Sequence, residues 1–81
     1  MGLRYSKHFL RSYAKAPLSV QKAFDKQAAL LLQDLNHPSL LRRGSIEATG
    51  LWQGRVNYSW RFYFKIQGNV FLLEEIRNHP K

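Results

Sequence analysis

Apolar residues recur every three or four positions in the first half of the chain, which is typical of amphipathic helices. A short strand is predicted at Leu3-Arg4-Tyr5, and Ser6 follows it as a candidate helix cap. The pattern predicts a first helix over residues 7–15. Three apolar side chains are expected to face inward from it, namely Phe9, Leu10 and Tyr13.

A second helix is predicted from Pro17 or Ser19 to about Asn36, where His37-Pro38 stops it. Polar residues line one side of this helix, and apolar residues line the other. The apolar stripe consists of Val20, Phe24, Ala28, Leu31, Leu32 and Leu35. The two helices therefore form a predicted antiparallel hairpin with one apolar stripe each.

From Leu40 onward the pattern changes to the alternation of strands. Residues 40–46 form a loop leading into a possible strand, and further strands are predicted at about 51–57, 60–67 and 69–78. In the strand over 60–67 one face is apolar and the other basic and aromatic. The apolar face carries Phe62, Phe64 and Ile66, and the other carries Arg61, Tyr63 and Lys65.

The connections between these strands are short, as at the candidate hairpin turn Gln67-Gly68-Asn69. Strict alternation in the last strand puts Glu74 on the core face with Val70, Leu72 and Ile76. A buried unpaired carboxylate is costly. Either a bulge turns Glu74 outward or the strand ends earlier.

The order of elements predicts an α+β fold in a single domain over residues 1–81. An N-terminal short strand and a helical hairpin pack on a small antiparallel sheet of about four strands. Both helices are expected to cover the same sheet face.

The formal net charge of +8 favours polyanionic partners such as nucleic acid, the ribosome or an acidic protein. The chain has no cysteine, which excludes disulfides and thiolate chemistry and fits a cytoplasmic location. No apolar run reaches the roughly 20 residues of a membrane span, so no membrane partner is expected.

The motif classes of cofactor and metal enzymes are absent from the sequence. It contains neither a glycine-rich phosphate loop nor a histidine pair at metal-binding spacing. We therefore expect no metal and no small-molecule cofactor. The basic and aromatic strand face is instead a candidate surface for an RNA phosphate and a stacked base.

The segment Trp52-Gln53-Gly54-Arg55-Val56-Asn57-Tyr58-Ser59-Trp60-Arg61-Phe62-Tyr63-Phe64, followed by a last strand that ends near His79, resembles the RelE/ParE superfamily of bacterial toxins. Arg61 stands where the RelE and HigB branches carry an arginine after the hairpin turn. The terminal histidine is similar to that of YoeB-type members.

This resemblance implies the toxin of a type II toxin–antitoxin system. Its implied activity is that of a ribosome-dependent mRNA endonuclease, in which the ribose 2′-OH attacks the adjacent phosphate without a metal. Its implied partners are a cognate antitoxin protein, the ribosome and mRNA.

Such cleavage needs a base, a cation for the phosphorane charge and an acid for the leaving oxygen. The expected phosphate stabiliser is Arg61, and Arg55 is a second phosphate contact on the same face. His79 is the candidate general acid or base, whereas His8 and His37 are expected to be structural or solvated. Glu75 either accepts the proton, orients His79 or pairs with a neighbouring arginine. The expected RNA contacts are Arg42, Arg43, Tyr63, Lys65 and Arg77.

Two other functions remain open. A ParE-like toxin shares the fold but inhibits DNA gyrase without cleaving RNA, and a degenerate member binds only its antitoxin. Many RelE members carry lysines in the strand before the hairpin, where this chain has Ile46-Glu47-Ala48. That difference leaves room for the gyrase alternative.

Overall fold

The computed structural model describes residues 2–40, 43–46 and 50–78, with the backbone alone for 43–46. The chain order is strand, two helices, a 3-10 turn and four strands. The elements are β1 (Gly2–Tyr5), α1 (Lys7–Lys15), α2 (Leu18–Gln33), the 3-10 turn (Pro38–Leu40), β2 (Arg43–Ile46), β3 (Leu51–Arg55), β4 (Trp60–Gln67) and β5 (Val70–Asn78).

The strands form one sheet in the order β1-β5-β4-β3-β2. The predicted α+β class is confirmed, with four consecutive strands paired antiparallel. The N-terminal strand β1 joins them as a fifth strand, parallel to β5. A parallel pair needs a long crossover connection, which here includes both helices and the other strands.

Local hydrogen bonds replace the helical ones at the start of α1 and at the end of α2. The Ser6 hydroxyl accepts a bond from the Phe9 backbone N–H at 3.0 Å, as expected for the cap of α1. Helix α2 ends at Gln33, three residues before the predicted Asn36. Asp34 leaves the helical conformation, and its carboxylate accepts a bond from the Asn36 N–H at 2.9 Å. This local turn competes with another helical turn.

The helices pack on one face of the sheet, which we call the inner face. Its core contains buried side chains from both layers, including Phe9, Phe24, Leu31, Phe62, Phe64 and Leu73. The prediction that Leu10 faces inward was wrong, since it is 52% exposed, and Leu32 is 41% exposed. Each directly follows an inward-facing residue, and one residue further along a helix is a rotation of about 100°.

A β-bulge in β5 settles the position of Glu74. Phe64 pairs with Leu73 and Tyr63 pairs with Glu75, so Glu74 is an extra residue without a partner opposite. The Glu74 carboxylate lies 3.7 Å from the Lys65 ammonium, outside the core. Of the two alternatives that the sequence left open, the structure has the bulge.

The same bulge corrects the predicted core face of β5. Phe71, Leu73 and Ile76 are the buried residues of this strand. Val70 and Leu72 were predicted on the core face but are only partly buried, and Leu72 pairs with Lys65 on the other face. The shift at Glu74 changes the parity of the strand, which simple alternation does not take into account.

A side-chain hydrogen bond links the two helices. The Tyr13 hydroxyl donates to the Asp25 carboxylate at 2.9 Å. Burial raises the pKa of Tyr13, and the bond to Asp25 and the charge of that carboxylate raise it further. Tyr13 therefore remains a neutral donor at physiological pH.

None of the helices in the described part of the chain is long and apolar enough to cross a membrane.

Candidate active site

Three arginines from adjacent strands lie directly opposite one another on the outer face, the sheet surface away from the helices. Arg55 of β3 pairs with Arg61 of β4, and Arg61 pairs with Arg77 of β5. Directly paired residues share a sheet face, with Cα atoms about 4.5–5.5 Å apart. We call this set the arginine row. Like charges placed opposite each other destabilise a sheet, whereas a phosphate bound among them would offset their repulsion.

The turn between β3 and β4 fixes the guanidinium of Arg61. Its Nη1 donates to the backbone carbonyl of Asn57 at 2.7 Å and to that of Trp60 at 3.0 Å. The Asn57 side chain in turn accepts from the backbone N–H groups of Ser59 and Trp60. A guanidinium has five N–H donors, and Nη1 carries only two of them. Arg61 is thus held by a rigid turn through one end of its fork.

A second row of cross-strand partners lies beside the arginine row. In backbone register, Arg43 of β2 stands opposite Gln53, which is paired with Tyr63, which in turn is paired with Glu75. Tyr63 is only 8% exposed. The Arg77 guanidinium carbon lies 4.9 Å from the centre of its ring. An RNA nucleobase could stack on this side of the Tyr63 ring only if Arg77 moved away.

Glu75 has a histidine partner that the sequence reasoning missed. The Nε2 atom of His8 lies 2.7 Å from Oε1 of Glu75. The two side chains are 56% and 30% exposed. His8 had been expected to be structural or solvated, because it stands at the start of a helix. The contact follows from the parallel pairing of β1 with β5, in which Tyr5 lies opposite Leu73, and no local sequence signal reveals that pairing.

The remaining predicted site residues are only partly placed. Lys65 lies on the outer face and contacts Glu74 rather than the arginine row. Arg42 and His79 are outside the described residues, so their predicted roles stay predictions. In residues 2–40 and 50–78, no three histidine, aspartate or glutamate side chains come together as a metal site.

Comparison with known proteins identifies the fold. No protein-family model matches the chain, and no curated protein sequence matches it either. Solved toxin structures do match it. The YoeB/ParE toxin from Agrobacterium tumefaciens has 13% sequence identity and a TM-score of 0.80, and the match covers 99% of this chain and 100% of that one.

Two further solved structures agree. YafQ from E. coli strain BL21(DE3) has 15% identity and a TM-score of 0.77, with 94% of this chain and 90% of YafQ covered. A chain of the Mycobacterium tuberculosis RelBE2 toxin–antitoxin complex has 17% identity and a TM-score of 0.74, with coverages of 98% and 96%. The chain therefore has the fold of the RelE/ParE toxin superfamily, as the sequence resemblance predicted.

Proposed function

We propose that this chain is the toxin of a type II toxin–antitoxin system and cleaves mRNA on the ribosome in the cytoplasm. The observation that carries the proposal is the arginine row, in which three cations meet on one exposed side of a toxin fold. A phosphodiester undergoing attack gains negative charge on its oxygens, and preorganised guanidinium groups stabilise that charge.

The proposed reaction is an intramolecular phosphoryl transfer within the RNA that uses no metal and no cofactor. The ribose 2′-oxygen forms a bond to phosphorus, and the bond from phosphorus to the 5′-oxygen breaks. One RNA end then carries a 2′,3′-cyclic phosphate and the other a 5′-hydroxyl. Arg61, fixed by the turn, holds the phosphate with Arg55 and Arg77 beside it. His79 and Glu75 are the proton-transfer candidates that the sequence supplies.

The proposed protein partner is an acidic antitoxin. Several solved relatives of this fold are complexes of a toxin with its antitoxin, which supports such a partner here. The +8 charge would attract an acidic, partly disordered segment that folds on binding. Raised salt should therefore weaken this complex.

The decisive experiment is primer extension on an mRNA in a reconstituted translation system, with wild-type protein, Arg61→Ala and Arg61→Lys. We expect cuts that require ribosomes and that fall about 10²–10³-fold in Arg61→Ala. Arg61→Lys should also cleave poorly, because an ammonium lacks the two-pronged fork.

Arg61→Ala also removes the bonds to the turn carbonyls, so its unfolding must be followed as well. We expect a loss of about 1–2 kcal/mol of stability, which leaves most molecules folded. Lys22→Ala is the matched control, since Lys22 is an exposed cation on α2. It should cleave like the wild type.

The outcomes separate the candidate functions. Ribosome-dependent cuts that disappear in Arg61→Ala support the nuclease. Growth arrest without any cuts would favour inhibition of DNA gyrase, and the absence of both cuts and arrest would favour a chain that only binds its antitoxin. Full cleavage by folded Arg61→Ala would remove Arg61 from the site.

A further inference from the structure

The pair formed by His8 and Glu75 joins two ends of the chain at the proposed nuclease site. Their contact at 2.7 Å spans 67 positions of sequence. Both side chains are partly exposed, so solvent and ligand can reach them. A carboxylate that accepts a bond from an imidazole fixes the orientation and the tautomer of the ring.

The pair lies next to the arginine row. Glu75 and Arg77 are two residues apart on β5 after the bulge and share the outer face. Two residues of extended strand span about 7 Å. A phosphate held by Arg77 and Arg61 would therefore lie within one nucleotide of the Glu75 carboxylate. The imidazole of His8 is hydrogen-bonded to that carboxylate.

We propose that His8 is a catalytic residue of this site, with Glu75 as its positioning residue. This inference rests on the proposed nuclease function and adds to it a proton acceptor from α1. With Nε2 bonded to Glu75, Nδ1 is the ring nitrogen that remains to accept a proton. The 2′-OH proton moves to Nδ1 as the 2′-oxygen bonds to phosphorus. The leaving 5′-oxygen takes its proton from a water molecule, and His8 then releases its proton to solvent.

The fold explains how a helix residue reaches the sheet. Ser6 follows β1, and its backbone N–H donates to the Leu73 carbonyl at 2.9 Å. Its hydroxyl donates to the Glu74 carbonyl at 3.2 Å. These bonds fix the start of α1 against the bulge in β5. The first turn of α1 contains no acidic residue, and Glu75 supplies a negative charge there, where the helix dipole favours one.

The competing explanation is that the His8–Glu75 pair has a purely structural role. The variant His8→Gln distinguishes this structural role from the catalytic one. The Gln amide can still donate to Glu75 but cannot accept and release a proton at neutral pH. We expect ribosome-dependent cleavage to fall about 10²–10⁴-fold, the usual contribution of a general base. The unfolding midpoint and antitoxin binding should stay at their wild-type values.

Three further variants test the chemistry, and a fourth serves as the control. Added imidazole should partly restore cleavage by His8→Ala, which a structural role does not predict. Glu75→Gln should cleave less well than the wild type. The double variant with His8→Gln should be no worse than His8→Gln alone, because the two residues act as a unit. His37→Gln removes a histidine bonded to the Ser39 backbone N–H and should leave cleavage unchanged.

The results separate this inference from the proposed function. If the wild type cuts and folded His8→Gln cuts equally well, His8 is not catalytic and the nuclease proposal stands. If the wild type does not cut, both fail. If the cleavage lost in His8→Ala matches its loss of folded protein and imidazole restores none, His8 has a structural role only.

Discussion

At the scale of single residues, Gly54 shows how closely the sheet packs on its inner face. A Cβ atom at this position would lie 2.3, 2.6 and 2.8 Å from three carbon atoms of the Phe62 ring. Phe62 is fully buried and contacts the rings of Phe24 and Phe64. The Phe62 ring therefore fills the space above Gly54.

We expect Gly54→Ala to destabilise the protein by about 1–3 kcal/mol, the usual cost of overpacking a core. Urea unfolding of the variant measures this cost. Gly2→Ala is the matched control, since nothing lies within 4 Å of the Cβ that it would add. If both variants unfold at the wild-type urea concentration, Phe62 is less tightly held than the packing indicates.

Some site residues could be predicted from the sequence and others could not. Alternation along β4 and the hairpin were enough to place Arg55 and Arg61 on one face, because each depends only on neighbouring strands. The contact of His8 with Glu75 depends on β1 lying beside β5, which local patterns do not encode. The stacking of Arg77 on Tyr63 was concealed for a different reason, because the bulge at Glu74 shifts the register of β5 against β4.

At the scale of elements, Gln27 connects α2 with β3 and the 3-10 turn. It is 5% exposed within the apolar stripe of α2. Its Nε2 donates to the carbonyls of Ser39 and Arg55 at 2.9 and 2.8 Å, and its Oε1 accepts from the Ser39 hydroxyl at 3.1 Å. The apolar stripe predicted from the sequence did not include Gln27, because a pattern of apolar residues does not reveal a buried polar residue with several hydrogen-bond partners.

We expect Gln27→Leu to cost about 2–3 kcal/mol, although leucine fits an apolar stripe. The substitution leaves two partly buried carbonyls without their donor, and unsatisfied groups of this kind cost about 1–3 kcal/mol. Chemical denaturation provides the measurement. Gln33→Leu at the exposed end of α2 is the control and should change stability little. A Gln27→Leu variant as stable as the wild type would show that the carbonyls find other partners.

The β5 bulge sets a similar limit at the element scale. The sequence indicated a conflict at Glu74, because alternation put a carboxylate in the core, and a bulge was one of its two solutions. The sequence did not indicate which half of β5 follows the expected alternation of core and outward-facing residues. The large apolar residues Phe71 and Leu73 determine that choice by filling the core beneath α1 and α2, which is a tertiary effect.

At the scale of the whole molecule, the positive charge that the proposed function requires lowers the stability of the fold. The chain carries +8, and three of its cations face one another in the arginine row. Directly opposed like charges weaken a sheet, yet the same arrangement is suited to a polyanion. If the row serves RNA, replacing Arg55 should strengthen the fold and weaken binding together, whereas replacing Arg61 also loses its bonds to the turn.

We therefore expect Arg55→Gln to raise the free energy of unfolding at low salt by about 0.2–1 kcal/mol. The gain should shrink between about 0.01 M and 1 M ionic strength, as screening removes the repulsion. Affinity for single-stranded RNA should fall, with its salt slope reduced by about 1. Lys22→Gln lowers the net charge equally away from the row, so it should show a smaller gain. An Arg55→Gln protein no more stable at low salt than Lys22→Gln would mean that the repulsion is already relieved without RNA.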